Sequence, residues 1–462
     1  MVSPSLSPTG VQRALCIVDP TLTGEGGHSL AYDRLLAEAA RSFGHVDHVE
    51  IFADRTFRAE KRADVHAALG LLRLDGLKAR LRPVWEKLRP ARPIEPVPLD
   101  FRFTATDPWE PLRMWSYVGK RLRALDLAWS LYRLLNGRYS RVVDVHMVFQ
   151  NAGMEEVFCL EILRGFLDAW TRAVTIHLVF RHIPERTCSR VAGMARFAAL
   201  LKRQGALRHV RMYTDTEELT ASFASLAPAP GQFQTLPVPS LIQKTSVPDR
   251  KNGTFRLGML GPSRMEKGFG CLPVLLGALP AKAAGRTLEL VVQTGAGTPD
   301  RETRAVTAIL EKHAERTAGD PGAVTLRLLP GPLDAGTYAS CFAGLDGALV
   351  LHSSPKYAAS SSGIFVEALH LGIPSIVFAG TWMGKRIRQA AEEGLSIGRC
   401  VDTLGEAPAA IERIAAEQTL FSKDIAEYLA RHARRFDPDL LAATLFGNPP
   451  GASGGENGAG TC

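Results

Sequence analysis

Cysteine is scarce in this 462-residue sequence, and the seven cysteines follow no metal-binding or disulfide pattern. They are odd in number and widely scattered, and none stands in a Cys-x-x-Cys pair. Structural zinc sites and disulfide frameworks both require regularly spaced cysteines. We therefore expect free thiols in a reducing compartment and no zinc site.

Long apolar runs and a basic N-terminal stretch are also lacking. No apolar segment approaches the roughly 20 residues that a transmembrane helix needs. Residues 1–12 contain no basic residue, which argues against a secretory signal. With 46% hydrophobic residues and a mean hydropathy near zero, the composition is typical of a globular protein of about two or three domains, which we expect in the cytoplasm.

Positive charge is concentrated in one part of the chain. The net charge is +8, and in residues 54–141 Lys and Arg outnumber Asp and Glu by nearly two to one. An apolar stripe recurs at helical spacing in the same region, at Trp115, Val118, Leu122, Leu125, Trp129 and Tyr132. We interpret residues 55–137 as a basic helical insertion whose stripe packs on its own domain. The alternative is peripheral contact with the inner face of an anionic membrane.

Strands and helices alternate in the first half of the chain. Residues 14–19 predict a strand, a loop containing Gly26 and Gly27 follows, and a helix and a strand at 46–53 complete a βαβ unit. This pattern predicts an α/β domain with a parallel sheet over residues 13–238. The loop is not Gly-x-Gly-x-x-Gly, so a dinucleotide fingerprint is not supported.

Three side chains of the first domain are candidates for catalysis. His28 follows the glycine loop, and His146 stands near the end of a predicted strand at 142–148. Arg181 directly follows a predicted strand at 174–180, where its guanidinium would bind an oxyanion. For His146 the alternative is a core or loop histidine whose hydrogen bonds are satisfied within the protein.

A second α/β domain is predicted after a linker. Residues 227–253 are rich in Pro, Ser and Gly, and strand and helix patterns resume over residues 253–420. A helical segment at 421–446 is a candidate to cross back to the first domain, and residues 421–436 are the part that we expect to form the crossing helix. The tail at 447–462 is predicted to be disordered.

The segment from Tyr357 to Phe378 predicts a small-residue loop, a helix, a turn and a strand. The backbone N–H groups of Ser361, Ser362 and Gly363 would lie at the positive end of the helix, which favours phosphate oxygens. Glu367 stands one turn further on, where a carboxylate would accept hydrogen bonds from ribose hydroxyls. An ordinary serine-capped helix with a surface Glu is the alternative.

This segment resembles the donor site of GT-B glycosyltransferases, especially the large retaining family that includes sucrose synthases and lipopolysaccharide mannosyltransferases. Glu367, Ala368, Gly372 and Pro374 match its Glu-Ala-x-x-x-Gly-x-Pro pattern. Earlier in the same domain, Arg264, Lys267 and Gly268 match the family's diphosphate-binding loop. The sequence departs from the family at Ala359, where a second Glu usually contacts the donor sugar.

The resemblance implies two Rossmann-like domains that face each other across a cleft and bind a nucleotide-sugar. Arg264, Lys267, Gly268 and residues 361–363 would bind the diphosphate, Glu367 the ribose, and Gly26 and Gly27 would approach the donor or the acceptor. The segments that carry the resemblance contain no Asp-x-Asp metal-binding motif. We therefore expect no metal and no cofactor, with the nucleotide-sugar acting as a substrate.

Several functional alternatives remain open at this stage. An inverting transferase requires a general base, for which His28 and His146 are the candidates, and a retaining one does not. The acceptor is a glycan, a lipid or a protein. A sugar-nucleotide epimerase and a catalytically silent scaffold that binds a partner are the rival functions, and nucleic-acid binding is not expected.

Overall fold

The computed structural model describes the chain in segments. They are residues 13–19, 28–42, 46–53, 96–98, 113–167, 173–187, 194–226, 232–242, 253–295, 300–352 and 356–447, with single residues omitted inside some of these ranges. Most of the predicted insertion and all but the first residue of the predicted disordered tail lie outside these segments.

The first sheet is parallel, with seven strands in the order β3-β2-β1-β4-β5-β6-β7 among the described residues. Its strands are β1 (Arg13–Asp19), β2 (His48–Ala53), β3 (Pro96–Pro98), β4 (Asp144–Phe149), β5 (Ala173–Phe180), β6 (Val210–Thr214) and β7 (Phe233–Thr235). The helices of this half are α1 (His28–Ser42), α2 (Arg113–Asn136), α3 (Met154–Leu167), α4 (Pro184–Thr187), α5 (Met194–Gly205) and α6 (Glu217–Leu226). Apolar residues fill both faces of the sheet, as buried parallel strands require.

The second sheet repeats this plan, in the order β11-β10-β8-β12-β13-β14, with β9 antiparallel to β10. Its strands are β8 (Thr254–Met259), β9 (Lys282–Ala283), β10 (Arg286–Thr294), β11 (Thr325–Pro330), β12 (Gly347–Val350), β13 (Ser375–Phe378) and β14 (Gly398–Val401). Its helices are α7 (Leu272–Ala278), α8 (Arg301–Arg316), α9 (Ala335–Ala343), α10 (Gly363–His370), α11 (Trp382–Glu392), α12 (Ala407–Ala416) and α13 (Gln418–Arg431). The C-terminal ends of parallel strands meet at one edge of each sheet, which is where ligands bind in such folds.

The last helix, α14 (Pro438–Phe446), belongs to the core of the first domain. Its buried residues Leu441 and Leu445 share a hydrophobic cluster with Leu15 and Ile17 of β1. Helix α13, in contrast, packs on α10 of the second domain. The crossing is therefore made by residues 438–446 and not by 421–436, because the chain turns between α13 and α14 and a new helix begins at Asp437, whose carboxylate caps it.

Helix α2 carries apolar residues on two faces. The face that packs into the core consists of Ala124, Leu127, Ala128, Leu131 and Leu135. Leu122, Leu125 and Trp129 are exposed, with 59% of Trp129 accessible to solvent. The expectation that this part of the predicted stripe packs on its own domain is wrong, because a second apolar stripe fills that contact. None of the helices in the described segments combines the length and apolar content needed to cross a bilayer.

A polar ladder crosses the middle of the first sheet. The imidazole Nδ1 of His146 lies 2.9 Å from Nε2 of His177, and Nδ1 of His177 lies 3.3 Å from the Tyr213 hydroxyl. Phe446 of α14 packs edge-on against both imidazoles. Burial lowers the pKa of His177 well below its ordinary value, and the charges of His146 and Arg211 add to this effect.

We expect the ladder to make stability fall on mild acidification. The unfolded chain protonates His177 near pH 6.5, whereas the folded chain does so only at much lower pH. The stabilisation is therefore complete above about pH 6.5 and decreases as the pH falls, by at most about 2 kcal/mol down to about pH 5. Urea unfolding across this range measures it. In the variant His177→Asn the free energy of unfolding should change less with pH than in the wild type, whereas the control His209→Asn should keep the wild-type pH dependence. An equally steep pH dependence in both variants would show that His177 is not its source.

Candidate functional site

The loop after β8 is shaped by two glycines with positive φ angles. Gly261 has φ +107° and Gly268 has φ +88°. A Cβ atom on Gly268 would lie 2.2 Å from the Leu351 carbonyl oxygen, so only glycine fits between this loop and the end of β12. Lys267 lies in the turn directly before Gly268. Arg264 is exposed, and its Nη1 lies 4.0 Å from Oε1 of Glu266.

The helix predicted near residue 362 is present as α10. The Ser362 hydroxyl accepts a hydrogen bond from the Phe365 amide at 3.4 Å and caps the helix, and Gly372, with φ +69°, follows its end. Strand β13 then begins at Ser375, so the predicted order of loop, helix, turn and strand is confirmed.

The two predicted donor segments lie side by side. A Cβ atom on Gly261 would lie 2.6 Å from the Ile364 side chain in the first turn of α10. Lys267, Ser263, His352 and Ile364 line one cavity at the C-terminal edge of the second sheet. A lysine and the positive end of a helix therefore border the same space, which is suited to an anion.

Glu367 faces the protein interior one turn into α10. It is 1% exposed, and its Oε2 accepts a hydrogen bond from the Tyr338 hydroxyl of α9 at 2.8 Å. Burial and the charge of Glu367 raise the pKa of Tyr338 well above its ordinary value, so the phenol stays protonated and donates. The interpretation of Glu367 as a surface residue is wrong.

The first domain contributes a cluster around Arg181. The guanidinium donates from Nε to the Gln150 carbonyl oxygen at 2.8 Å and from Nη2 to the Gln150 Oε1 at 3.1 Å. It lies 4.0 Å from the ring centroid of Tyr32. Gln150 and Arg181 directly follow β4 and β5, so the guanidinium is fixed at the C-terminal edge of the first sheet.

Buried carboxylates surround this guanidinium. Asp19, Asp33 and Asp215 are all nearly inaccessible to solvent, and in the described segments neither oxygen of Asp33 has a hydrogen-bond partner. Burial raises the pKa of Asp33 well above its ordinary value, the charge of Asp19 adds to this, and Arg181 opposes it. Burial also raises the pKa of Asp215, and Arg181 opposes this as well. The sequence analysis missed these acids, although Asp19 and Asp215 stand at strand ends.

The loop before α10 is hydrogen-bonded to the first domain. The Ser361 hydroxyl donates to Oδ2 of Asp215 at 2.6 Å, and the Ser360 hydroxyl donates to the Arg181 carbonyl oxygen at 3.1 Å. The Thr216 hydroxyl donates to the Ala359 carbonyl oxygen at 2.6 Å. These contacts bring Arg181 and the α10 N-terminus together at the boundary between the two domains.

Other predicted site residues do not join this group. His146 lies three residues before the end of β4, and its ring packs on Phe446 within the ladder across the sheet. His28 is the first residue of α1, and its side chain, like Gly26 and Gly27, lies outside the described residues. The structure therefore brings together Lys267, residues 361–364 and Arg181, and places His146 elsewhere.

Comparisons with known proteins identify the fold. No family model matches the sequence, and no curated protein matches it. Among solved structures, the chain is similar to WaaG, a glycosyltransferase involved in lipopolysaccharide biosynthesis, with a TM-score of 0.57 and 13% identity over 94% of this chain and 99% of that one. It is similar to a structure described as trehalose-6-phosphate from E. coli bound with UDP-2-fluoro glucose, with a TM-score of 0.59, 13% identity and coverages of 94% and 99%. The α,α-trehalose 6-phosphate synthase from Burkholderia multivorans gives a TM-score of 0.57, 13% identity and coverages of 94% and 97%.

These neighbours are GT-B glycosyltransferases, so the chain has the GT-B fold and the predicted resemblance is confirmed at the level of fold. At such low identity, similarity of fold does not transfer an activity or a substrate.

Replacing Gly268 with alanine should destabilise the protein by more than about 1 kcal/mol, because the site combines a positive φ angle with the nearby Leu351 carbonyl. Gly277→Ala is the matched control. Gly277 lies in α7 with open space around its Cα, so its replacement should be neutral or stabilise the helix by up to about 1 kcal/mol. Urea unfolding measures both, and equal effects would show that the Gly268 loop tolerates a side chain.

Proposed function

We propose that this GT-B protein transfers a glycosyl group from a nucleoside-diphosphate donor. The observation that carries the proposal is the shared cavity of Lys267 and the N-terminus of α10. Cleavage of a sugar–phosphate bond leaves negative charge on the departing diphosphate. A fixed cation and unpaired helix N–H groups stabilise that charge where it develops.

The donor roles are assigned from position. Lys267 and the N–H groups of Ser362 and Gly363 would bind the diphosphate, and Arg264, which is exposed at the mouth of the loop, would fold onto it. Glu367 would accept hydrogen bonds from the ribose hydroxyls, with Tyr338 holding its carboxylate in place. The hydroxyl of Ser361 is engaged by Asp215 and is available to a donor only if that contact opens.

Asp215 offers a carboxylate near the position where the sequence departs from the family. It contacts Ser361, two residues after Ala359, and its Oδ1 has no hydrogen-bond partner in the described segments. We propose that Asp215, supplied by the first domain, takes over contact with the donor sugar. Arg181 would keep Asp215 ionised against the effect of burial.

The acceptor side is assigned to the first-domain cluster. A general base must lie within reach of the acceptor hydroxyl and hold a pKa near the working pH. The raised pKa of Asp33 and its lack of a described partner make it a better candidate for an inverting reaction than His146, whose imidazole is committed to the ladder. A retaining reaction would not need this base.

We also propose that the exposed face of α2 and α3 contacts an anionic membrane surface. Trp129 stacks on Tyr132 with ring centroids 5.7 Å apart, and Tyr132 contacts Phe166 of α3 at 5.0 Å. Apolar exposure thus continues from one helix to the other, and exposed arginines border it at Arg133 and Arg164. Aromatic and basic side chains together suit an anionic bilayer.

Donor binding is tested by calorimetry with UDP and GDP. Arg264→Ala should weaken binding of the preferred nucleotide by roughly 10- to 100-fold, because it removes a charge-assisted contact. Arg413→Ala is the control and should bind normally, because it removes an exposed arginine whose ion pair is with Glu417 at the surface. If the wild-type protein bound neither nucleotide, the proposal would fail and the silent-scaffold function would be favoured.

Membrane contact is tested by sedimentation with phosphatidylglycerol vesicles. The double substitution Leu125→Ser and Trp129→Ser should reduce binding by about tenfold or more, since two apolar side chains are lost. The control replaces two equally exposed apolar residues of the second domain, Ile309 and Leu420, with serine. Equal binding by both variants, or equal binding to neutral phosphatidylcholine vesicles, would contradict the proposal.

A further inference from the structure

A second cavity lies between the two domains, and none of its lining residues lines the cavity beside Lys267. Its volume is about 210 Å³. Its walls come from the start of α6, residues 235–238 after β7, the start of α11, and the segment that joins α13 to α14. Both domains and both connections between them therefore border this space.

Several polar atoms around this cavity lack protein partners. Trp382 is 5% exposed, and its indole Nε1 has no hydrogen-bond partner in the described segments. The same is true of Nε of Arg386 and Nη1 of Arg435. Buried polar groups are nearly always hydrogen-bonded, because an unpaired one costs about 1–3 kcal/mol. Three such atoms around one space indicate that a polar molecule completes them.

The charges around the cavity favour an anion. Arg386 is paired with Glu218 at 2.7 Å, and Arg435 is paired with Glu217 at 3.2 Å. Arg434 also lines the cavity, is exposed, and forms no ion pair with any described residue. An oxyanion bound here would meet one unneutralised guanidinium and the indole N–H donor, a combination that fits phosphate or carboxylate.

We propose that this cavity binds a small hydroxylated phosphomonoester or carboxylate. The oxyanion would contact Arg434 and Nε1 of Trp382, and the hydroxyl groups would donate to the carboxylate of Glu217. Because the walls belong to both domains, the ligand would stabilise the domain arrangement seen here. The proposal concerns binding alone and holds whether or not the protein transfers a sugar.

Calorimetry with the full chain and three probes tests the proposal. Glycerol 3-phosphate supplies both the oxyanion and hydroxyl groups, inorganic phosphate supplies the oxyanion alone, and glycerol supplies hydroxyls alone. We expect glycerol 3-phosphate to bind more tightly than phosphate, and glycerol not to bind. No heat with glycerol 3-phosphate at millimolar concentration, or equal affinity for glycerol 3-phosphate and phosphate, would overturn the proposal.

Two substitutions assign the binding to this cavity. Arg434→Gln removes the unneutralised charge, and Trp382→Phe removes the indole N–H while keeping a ring against Phe365, whose centroid lies 6.0 Å away. Each should weaken binding of glycerol 3-phosphate at least about fivefold. Arg431→Gln is the control, because Arg431 pairs with Glu427 on the surface and does not line the cavity. Thermal unfolding verifies that each variant is folded. If Arg434→Gln and Arg431→Gln bind alike, the anion binds elsewhere and the proposal is wrong.

Discussion

The hydrogen bond from Ser361 to Asp215 joins the two halves of this structure at the point where its chemistry is expected. Ser361 precedes the N-terminus of α10, and Asp215 follows the last long strand of the first sheet. The carboxylate of Asp215 accepts a hydrogen bond from the Ser361 hydroxyl and lies near the guanidinium of Arg181. If a donor binds at the α10 N-terminus, as we propose, it would lie beside a carboxylate of the opposite domain, and its binding would be coupled to the contact between the domains.

In the second domain, the backbone of the loop after β8 shapes the candidate site. Gly261 and Gly268 let the loop after β8 approach Ile364 and the end of β12 more closely than any residue with a side chain would allow. That closeness places Lys267 and the first turn of α10 on the wall of the same cavity. The site is thus built from turn geometry and helix ends, which cost little reorganisation when a charged ligand arrives.

Local signals made the fold, and the order of loop, helix, turn and strand around α10, predictable from the sequence. Strand and helix periods, the Ser362 cap and the glycine after α10 all act within a few residues of one another. The acidic cluster of the first domain was not predictable in the same way, since Asp33 lies within the helical pattern of α1 and meets Asp19 and Arg181 only after folding. Helix α2 shows a related limit: periodicity revealed an apolar stripe, but it could not reveal that another stripe of the same helix occupies the core. The sequence also could not show that residues 438–446, and not 421–436, cross back to the first domain. The apolar side chains of this helix pack against β1, which is far away in the sequence.

The position of α14 has a consequence for biosynthesis. Leu441 and Leu445 complete a cluster whose other members include Leu15 and Ile17, so this part of the first domain's core requires residues that follow the second domain in the sequence. The ribosome therefore synthesises the whole second domain before this cluster can be completed, whereas the cluster on the opposite face of the first sheet needs no residue beyond Phe233. Contacts so distant in sequence fold slowly and leave the apolar surface of β1 that receives α14 open to chaperones.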